Sequence, residues 1–210
     1  VIYTGYREPF KQQAMELGGV DWQYRPLEES DRFSSQGTSG RLLLNSSVEV
    51  DIAEGLGLQG MYRYQMVGGN TRMEYQPDSY YVRNLVNRYM QSDGVSKFPH
   101  NGILRLDDHD QKGYDLRLQL NYSKQIGNLF HVDALAGYER RELVREGSVA
   151  QYFDYDGELL TVNNQLDYMT RFAVRPSGTA RLPTPLASVS RLVDRNISYY
   201  GNIGFSMASM

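Results

Sequence analysis

The chain has 210 residues, a net charge of −3, a mean hydropathy of −0.54 and no cysteine. The lack of cysteine excludes disulfides, thiolate metal sites and cysteine nucleophiles. The slightly acidic charge, without a basic strand, argues against nucleic acid as a partner, and no apolar run approaches the ~18 residues of a membrane-spanning helix.

The two ends of the sequence give weak signals. We expect one strand near Val1–Tyr6, followed by a long loop up to about residue 40. The chain starts VIYTGYREPF without an initiator methionine and ends NIGFSMASM within a strand pattern. We therefore expect it to be a piece of a longer protein.

Five later segments have the two-residue period of β-strands with two unlike faces. In Tyr114–Ser123, YDLRLQLNYS, every second residue is apolar and every other one is polar. The predicted strands are Arg41–Ile52, Leu56–Val67, Lys112–Lys124, Leu129–Leu143 and one that starts near Arg195.

The connections between these strands alternate in length. Ala53–Gly55 and Ile126–Asn128 are predicted tight turns, whereas the second and fourth strands are each followed by roughly 45 to 50 residues, far above the usual ~4–6. In an up-and-down order the long connections all emerge at one end. Short turns on one rim and long loops on the other are typical of outer-membrane barrels.

The first long connection contains one predicted helix, Pro77–Gln91, with Asp78 in its positively polarised first turn. Apolar side chains recur there at helical spacing and form a stripe that must pack on other residues. The stripe consists of Tyr81, Val82, Leu85, Val86 and Tyr89. The second long connection, about Val144–Asp194, shows no reliable element.

Across the positions that carry the apolar pattern, the strand faces lack charged residues, and they hold aromatic residues at matched positions. Tyr114 and Tyr122 lie on the third strand, and Phe130 and Tyr138 lie at the same spacing on the fourth. About eight residues, at ~3.3 Å each, separate the two aromatic positions of each strand. On a strand tilted by ~40°, this distance spans ~20 Å along the membrane normal, close to the ~25 Å band between aromatic girdles. We predict that these four residues form a membrane girdle. The alternative is a soluble β-sandwich that binds carbohydrate or cleaves glycans.

Several segments resemble SusC/RagA-type TonB-linked outer-membrane transporters. They are PDSYYVRNLVNRYMQ, HNGILRL, DRNISYYGNIGFSM and the strand pair YDLRLQLNYSKQIGNLFHVDALAGYERRE. The resemblance covers most of residues 40–210, and its most specific parts are the helix segment and the SYYGN strand. It implies an all-β fold in which residues 1–210 are part of a 22-stranded antiparallel transmembrane β-barrel of the bacterial outer membrane. One of its long extracellular loops would contain a short helix.

The resemblance also implies a function and partners. It implies import of glycans or peptides, driven by TonB, together with a SusD-like surface lipoprotein that lids the barrel. The family's plug domain and TonB box have no counterpart in this sequence, and Asn101–Leu104 stands where the family often has Gly-Gly-Ile-Leu. A second hypothesis is a transporter-like barrel that scaffolds a larger outer-membrane complex. We expect no enzyme activity and no cofactor.

Two groups of residues are candidates for contact with a solute. Polar side chains opposite the girdle would face a wet lumen, where they either steer a polar solute or are simply hydrated: Arg63, Asp115, Arg117, Asp133 and Glu139. Aromatic side chains in segments predicted to be outer loops would contact the ligand or the lid lipoprotein, or would pack within a large loop: Trp22, Tyr24, Tyr152, Phe153 and Tyr155.

Two motifs carry no chemistry in this interpretation. Asp107–Asp110, DDHD, lacks the ligand spacing of a known calcium loop, and we interpret it as a solvated loop. Gly55–Gly60, GLGLQG, fits the dinucleotide fingerprint, but its glycines leave a turn and enter a strand instead of opening a helix. We predict neither a metal site nor a nucleotide site.

Overall fold

The computed structural model describes residues 7–127, 130–163 and 165–207. The predicted strand near Val1–Tyr6 lies outside them. The chain divides into two compact units, which we call the loop unit and the strand unit. Of the described residues, the loop unit comprises 7–38, Asn70–Asp108 and Ser148–Val189, and the strand unit comprises Ser39–Gly69, His109–Gly147 and 190–207.

Long strands make up most of the described chain. They are β1 (Phe33–Ala53), β2 (Leu56–Tyr75), β3 (Gly102–Ile126) and β4 (Phe130–Asp156), which are hydrogen-bonded to one another in that order. Three short strands, β5 (Thr161–Val162), β6 (Phe172–Ala173) and β7 (Thr179–Ala180), precede the last long strand, β8 (Ala187–Met207). Both β5 and β8 pair with β4, and β6 pairs with β7 in a separate small sheet. The predicted all-β antiparallel fold is confirmed.

The long strands extend beyond their predicted bounds. All five predicted strands are present, but β2 continues to Tyr75, β3 begins at Gly102 and β8 begins at Ala187. Asp107–Asp110 lies within β3, so its interpretation as a loop is wrong. The physical reason is that strand pairing uses backbone groups, which continue to pair where both faces are polar and hydrophobic alternation is lost.

The predicted turn at Ala53–Gly55 joins β1 to β2. Gly55 has φ +77°, in the left-handed region that glycine enters without steric cost. Its carbonyl oxygen accepts a hydrogen bond from the Ser123 backbone N–H at 2.7 Å, and a Cβ at this position would overlap the Ser123 carbonyl oxygen. The turn is therefore held against β3, and both its backbone conformation and its close packing require glycine.

The predicted helix in the first long connection is α3, Tyr80–Arg88. Ser79 is its N-cap, and the Ser79 side chain accepts a hydrogen bond from the Val82 backbone N–H. The helix begins later than Pro77, because Ser79 supplies the cap, and Asp78 therefore lies outside the first turn, contrary to the prediction. The carbonyl oxygen of Asp78 instead accepts a hydrogen bond from Arg83 Nε at 2.8 Å.

The apolar stripe of α3 is buried in a hydrophobic cluster of the loop unit. The buried members of this cluster are Val82, Leu85, Val86, Tyr89, Met90, Phe98, Ile103, Phe153 and Leu182. The Tyr89 hydroxyl donates a hydrogen bond to the Arg181 carbonyl oxygen at 2.6 Å, and burial raises the pKa of this phenol above its usual range. The long connections are therefore folded together around their own core.

Two helices precede β1 where the sequence predicts a loop. They are α1, Glu8–Glu16, and α2, Pro26–Arg32, and each has a proline in its first turn. A second small cluster forms beside them from Ala14, Trp22 and Tyr80. In the part of the chain that the structure describes, no helix has the length and apolar character needed to cross a membrane.

The strand unit has an apolar face that its own residues leave uncovered. Exposed apolar side chains on this face are Leu42, Leu44, Val48, Val50, Ile52, Leu58, Tyr62, Met66, Leu118, Leu120, Phe130, Ile197, Tyr199, Ile203, Phe205 and Met207. Both clusters of buried hydrophobic residues found in the described chain belong to the loop unit. A β-sandwich buries the apolar face of each sheet under a second sheet, and the described residues of the strand unit form no such second layer.

Candidate functional site

The opposite, polar face of the strand unit lines an open pocket of about 430 Å³. Its lining comes from β1, β2, β3 and β4 and is mostly polar: Asn45, Ser46, Ser47, Met61, Tyr62, Arg63, Gln65, Asp115, Arg117, Glu139 and Arg141. Four of the five predicted lumen residues therefore share one pocket. Asn45, Gln65 and Arg141 were not among the predicted site residues, although each lies on the polar face that the alternation predicts.

The pocket places guanidinium donors beside carboxylate acceptors. Arg141 Nε lies 3.4 Å from Asp115 Oδ1, and Arg63 Nε donates to Asn45 Oδ1 at 3.1 Å. Charged groups of both signs on one exposed face can bind a polar or zwitterionic solute by charge-assisted hydrogen bonds.

Tyr200 of β8 lies across the polar face and reaches β3. Its hydroxyl accepts a hydrogen bond from Arg117 Nε at 2.6 Å and donates one to Gln119 Oε1 at 3.1 Å. The Arg117 guanidinium also lies over the Tyr200 ring, 5.1 Å from its centroid. Tyr200 thereby fixes the position of one of the pocket's arginines. The sequence signal for this contact is an aromatic residue on an otherwise polar face.

Gly137 of β4 makes room for this ring, because the Tyr200 ring occupies the space that a Cβ at position 137 would need. Gly137→Ala is therefore expected to displace Tyr200 and break its hydrogen bond to Arg117, lowering the free energy of unfolding by about 1.5–3 kcal/mol. Tyr200→Phe removes the same hydrogen bond. The double variant should therefore be no less stable than the less stable of the two single variants. Denaturant unfolding of the four proteins measures this coupling.

Gly204→Ala is the matched control for Gly137→Ala. Gly204 lies on β8, and a Cβ there would meet only the Asp133 carbonyl oxygen, at 3.9 Å. We expect this variant to change stability by less than about 1 kcal/mol. Additive effects of Gly137→Ala and Tyr200→Phe would contradict the shared mechanism.

Asp133, the fifth predicted lumen residue, lies outside this pocket. Asp133 Oδ1 is 3.1 Å from His131 Nε2, which is also 3.2 Å from Ser123 Oγ. Asp133 also lines a smaller depression with Asn121 and Asn202. Within the described residues there is no group of three or more His, Asp or Glu side chains placed to hold a metal ion.

The four predicted girdle residues lie on the apolar face of the strand unit. Phe130 is exposed, and the Tyr138 ring packs against the Tyr199 ring of β8 with centroids 5.3 Å apart. The Tyr114 hydroxyl donates to Glu142 Oε2 at 3.2 Å, and Tyr122 is half-buried. Contact of these rings with a membrane interface stays a prediction.

Two of the predicted ligand-binding aromatic residues, Trp22 and Tyr24, pack within the loop unit. Trp22 is 2% exposed, its Nε1 donates to Asn84 Oδ1 at 2.9 Å, and its ring lies 5.7 Å from the Phe10 ring. The Tyr24 ring meets the Tyr80 ring edge-on at 5.1 Å. These contacts are those of structural side chains, and a role in ligand binding stays a prediction.

The other three aromatic residues, Tyr152, Phe153 and Tyr155, lie in β4 and not in a loop as predicted. Tyr152 is half-buried, whereas Phe153 and Tyr155 are buried. The Tyr155 hydroxyl accepts a hydrogen bond from Arg72 Nη2 at 2.6 Å. Burial of Phe153 and Tyr155 leaves Tyr152 as the most accessible of the three for a ligand.

Comparisons with known proteins identify the fold. No protein-family model and no curated protein matches the sequence. The structure of the RagAB peptide transporter matches 85% of this chain with a TM-score of 0.58 and 15% identity. The RagAB peptide importer in its 'open-open' state matches 85% of the chain with a TM-score of 0.58 and 14% identity, and in its 'closed-closed' state 84% with a TM-score of 0.59 and 15% identity.

The chain spans 17% of the length of each of these matched chains. The likeness shows the fold, since the match covers most of this chain while few residues are identical. The chain is an antiparallel β-barrel segment similar to part of the transporter chain in those structures.

Proposed function

We propose that the chain forms part of an outer-membrane, TonB-dependent transporter that imports glycans or peptides with a SusD-like surface lipoprotein. The observation that carries the proposal is the contrast between the two faces of the strand unit. One face is apolar, exposed and uncharged across its middle, and the other is polar and charged. A barrel wall between lipid and a wet lumen requires this contrast.

The extent of the apolar face supports contact with lipid. Soluble monomers rarely expose contiguous apolar patches larger than a few hundred Å². Here exposed apolar side chains occur on all five long strands, from Leu42 on β1 to Met207 on β8. Hydrocarbon chains would remove this surface from water.

The proposed substrate class rests on the pocket and on the fold neighbours. Arg63, Arg117 and Arg141 lie beside Asp115 and Glu139, and this mixture suits hydrogen bonding to peptides or sugars. The structures that the chain resembles are those of a peptide transporter, which supports transport as the activity. The folded loop unit, with its own core around α3, would give the lipoprotein a preformed docking surface.

The proposal is tested by uptake and cell fractionation in a strain that lacks the whole protein. We expect the protein in the outer-membrane fraction and the lipoprotein to co-purify with it. Loss of the protein should abolish uptake of labelled peptides or glycans, as should loss of TonB. Unchanged uptake with loss of a surface complex would favour the scaffold hypothesis, and a soluble, monodisperse protein without detergent would overturn both.

Complementation with pocket variants tests the lumen itself. Arg117→Gln lies in the pocket and is expected to lower uptake severalfold, because the polar solute loses a charge-assisted donor. Arg145→Gln is the matched control: Arg145 lies on β4, also on the polar face but outside the pocket, where its Nε donates to Gln111 Oε1 at 3.1 Å. Equal uptake by both variants would argue against this pocket as the solute path.

A further inference from the structure

Charged side chains lie on the apolar face of the strand unit at one end of its uncharged band. Alternate residues of a strand share a face. Arg140 and Glu142 therefore lie on the same face of β4 as the girdle residue Tyr138, and Arg195 lies on the same face of β8 as Ile197. We call Arg140, Glu142 and Arg195 the basic cluster. None of its three residues lines the pocket.

The basic cluster is held together around one carboxylate. Arg195 Nε lies 2.9 Å from Glu142 Oε2, and Arg140 Nη2 lies 3.8 Å from the same oxygen. The Tyr114 hydroxyl donates to that oxygen at 3.2 Å, and the Arg140 guanidinium lies over the Tyr114 ring, 5.8 Å from its centroid. The cluster is therefore a built arrangement that includes a girdle residue.

The cluster has unused capacity for an anion. Two guanidinium groups share one carboxylate, so one positive charge is in excess. The side chains of Arg195 and Arg140 are 69% and 47% exposed, whereas that of Glu142 is 17% exposed. Lys112, exposed and two residues before Tyr114 on β3, lies on the same face, but the Asp110 carboxylate two residues earlier balances its charge, so the excess rests on Arg140 and Arg195. Within the described chain, Lys112 has no ion pair within 4 Å.

The chemistry of the surface identifies its occupant. An uncharged apolar band that ends in exposed cations complements an amphiphile with apolar chains and an anionic head. Guanidinium groups bind phosphate oxygens through paired N–H donors. We propose that the basic cluster binds the headgroup phosphate of an anionic membrane lipid, with its acyl chains lying along the apolar face. This inference rests on the proposed placement of that face in a bilayer.

The test is native mass spectrometry of the whole protein released from micelles that contain equal amounts of phosphatidylglycerol and phosphatidylcholine. We expect the protein to retain phosphatidylglycerol preferentially. Arg140→Gln/Arg195→Gln should reduce the preference about fivefold or more. Arg41→Gln/Arg145→Gln is the matched control, because it removes the same charge from the polar face of β1 and β4 and should retain the preference.

Glu142→Gln keeps both arginines and removes their carboxylate, so it should raise the preference for phosphatidylglycerol. Misfolding of a variant can only reduce lipid binding, so an increase in the Glu142→Gln variant would show that the effect of the arginine variant does not come from misfolding. Equal retention of both lipids by the unmodified protein would overturn the inference, as would full displacement of phosphatidylglycerol by millimolar inorganic phosphate.

The two proposals fail in different ways. If the protein does not insert into vesicles of phosphatidylcholine alone, the transporter proposal fails. If it inserts but shows no preference for the anionic lipid, only the basic-cluster inference fails.

Discussion

Val48→Arg is expected to lower the free energy of unfolding of the bilayer-embedded protein by about 2–4 kcal/mol. Val48 lies midway along the predicted first strand on the apolar face and is 61% exposed in the chain itself. If hydrocarbon covers this face, the guanidinium must enter lipid, which explains the cost. If water covers it, a change at so exposed a position should stay within about 0.5 kcal/mol.

Ser47→Arg is the matched control for Val48→Arg. Ser47 is the preceding residue on β1 and lines the polar pocket, so the same guanidinium would remain hydrated there. We expect this variant to cost at most about 1 kcal/mol. Denaturant unfolding in lipid vesicles, followed by far-ultraviolet circular dichroism, compares the two variants. Equal stability of the two variants would remove the main support for lipid on the apolar face.

The strand centres were predictable because their faces differ, and their ends were not. In Tyr114–Ser123 the alternation fixes both the strand and the side of each residue. At Asp107–Asp110 both faces are polar, so no period remains, although the backbone continues in β3. Helix α2 was not predicted because its segment also lacks a hydrophobic period. Leu27 is the only strongly apolar residue of this helix and is itself exposed.

The candidate site was predictable by face but not by contact. The alternation places Arg117 and Tyr200 on polar faces, but it does not give the register of β8 against β4. That register brings Tyr200 over Gly137 and within 2.6 Å of Arg117. Burial of Trp22 likewise depends on Asn84 and Phe10, whose positions are set by tertiary packing. Local sequence patterns carry no information on such partners.

Asn87→Ala is expected to release the segment that precedes α2 from the loop unit. Asn87 Oδ1 accepts a hydrogen bond from the Val20 backbone N–H at 2.8 Å, and Asn87 Nδ2 donates one to the Val20 carbonyl oxygen at 2.7 Å. The side chain is fully buried on α3. Alanine leaves both backbone groups of Val20 without these partners, at an expected cost of about 2–4 kcal/mol.

Hydrogen exchange of peptides that cover Leu17–Tyr24 measures this release. A cost of about 2 kcal/mol or more corresponds to exchange about 30-fold faster or more. Asn84→Ala, one turn earlier on α3, is the matched control. It removes the hydrogen bond from Trp22 Nε1 to Asn84 Oδ1 and should accelerate exchange only about fivefold. Because α3 keeps its buried apolar stripe in both variants, any difference between them must come from the paired bonds to Val20. Equal acceleration would mean that apolar packing of Trp22, and not the buried amide, holds the segment in place.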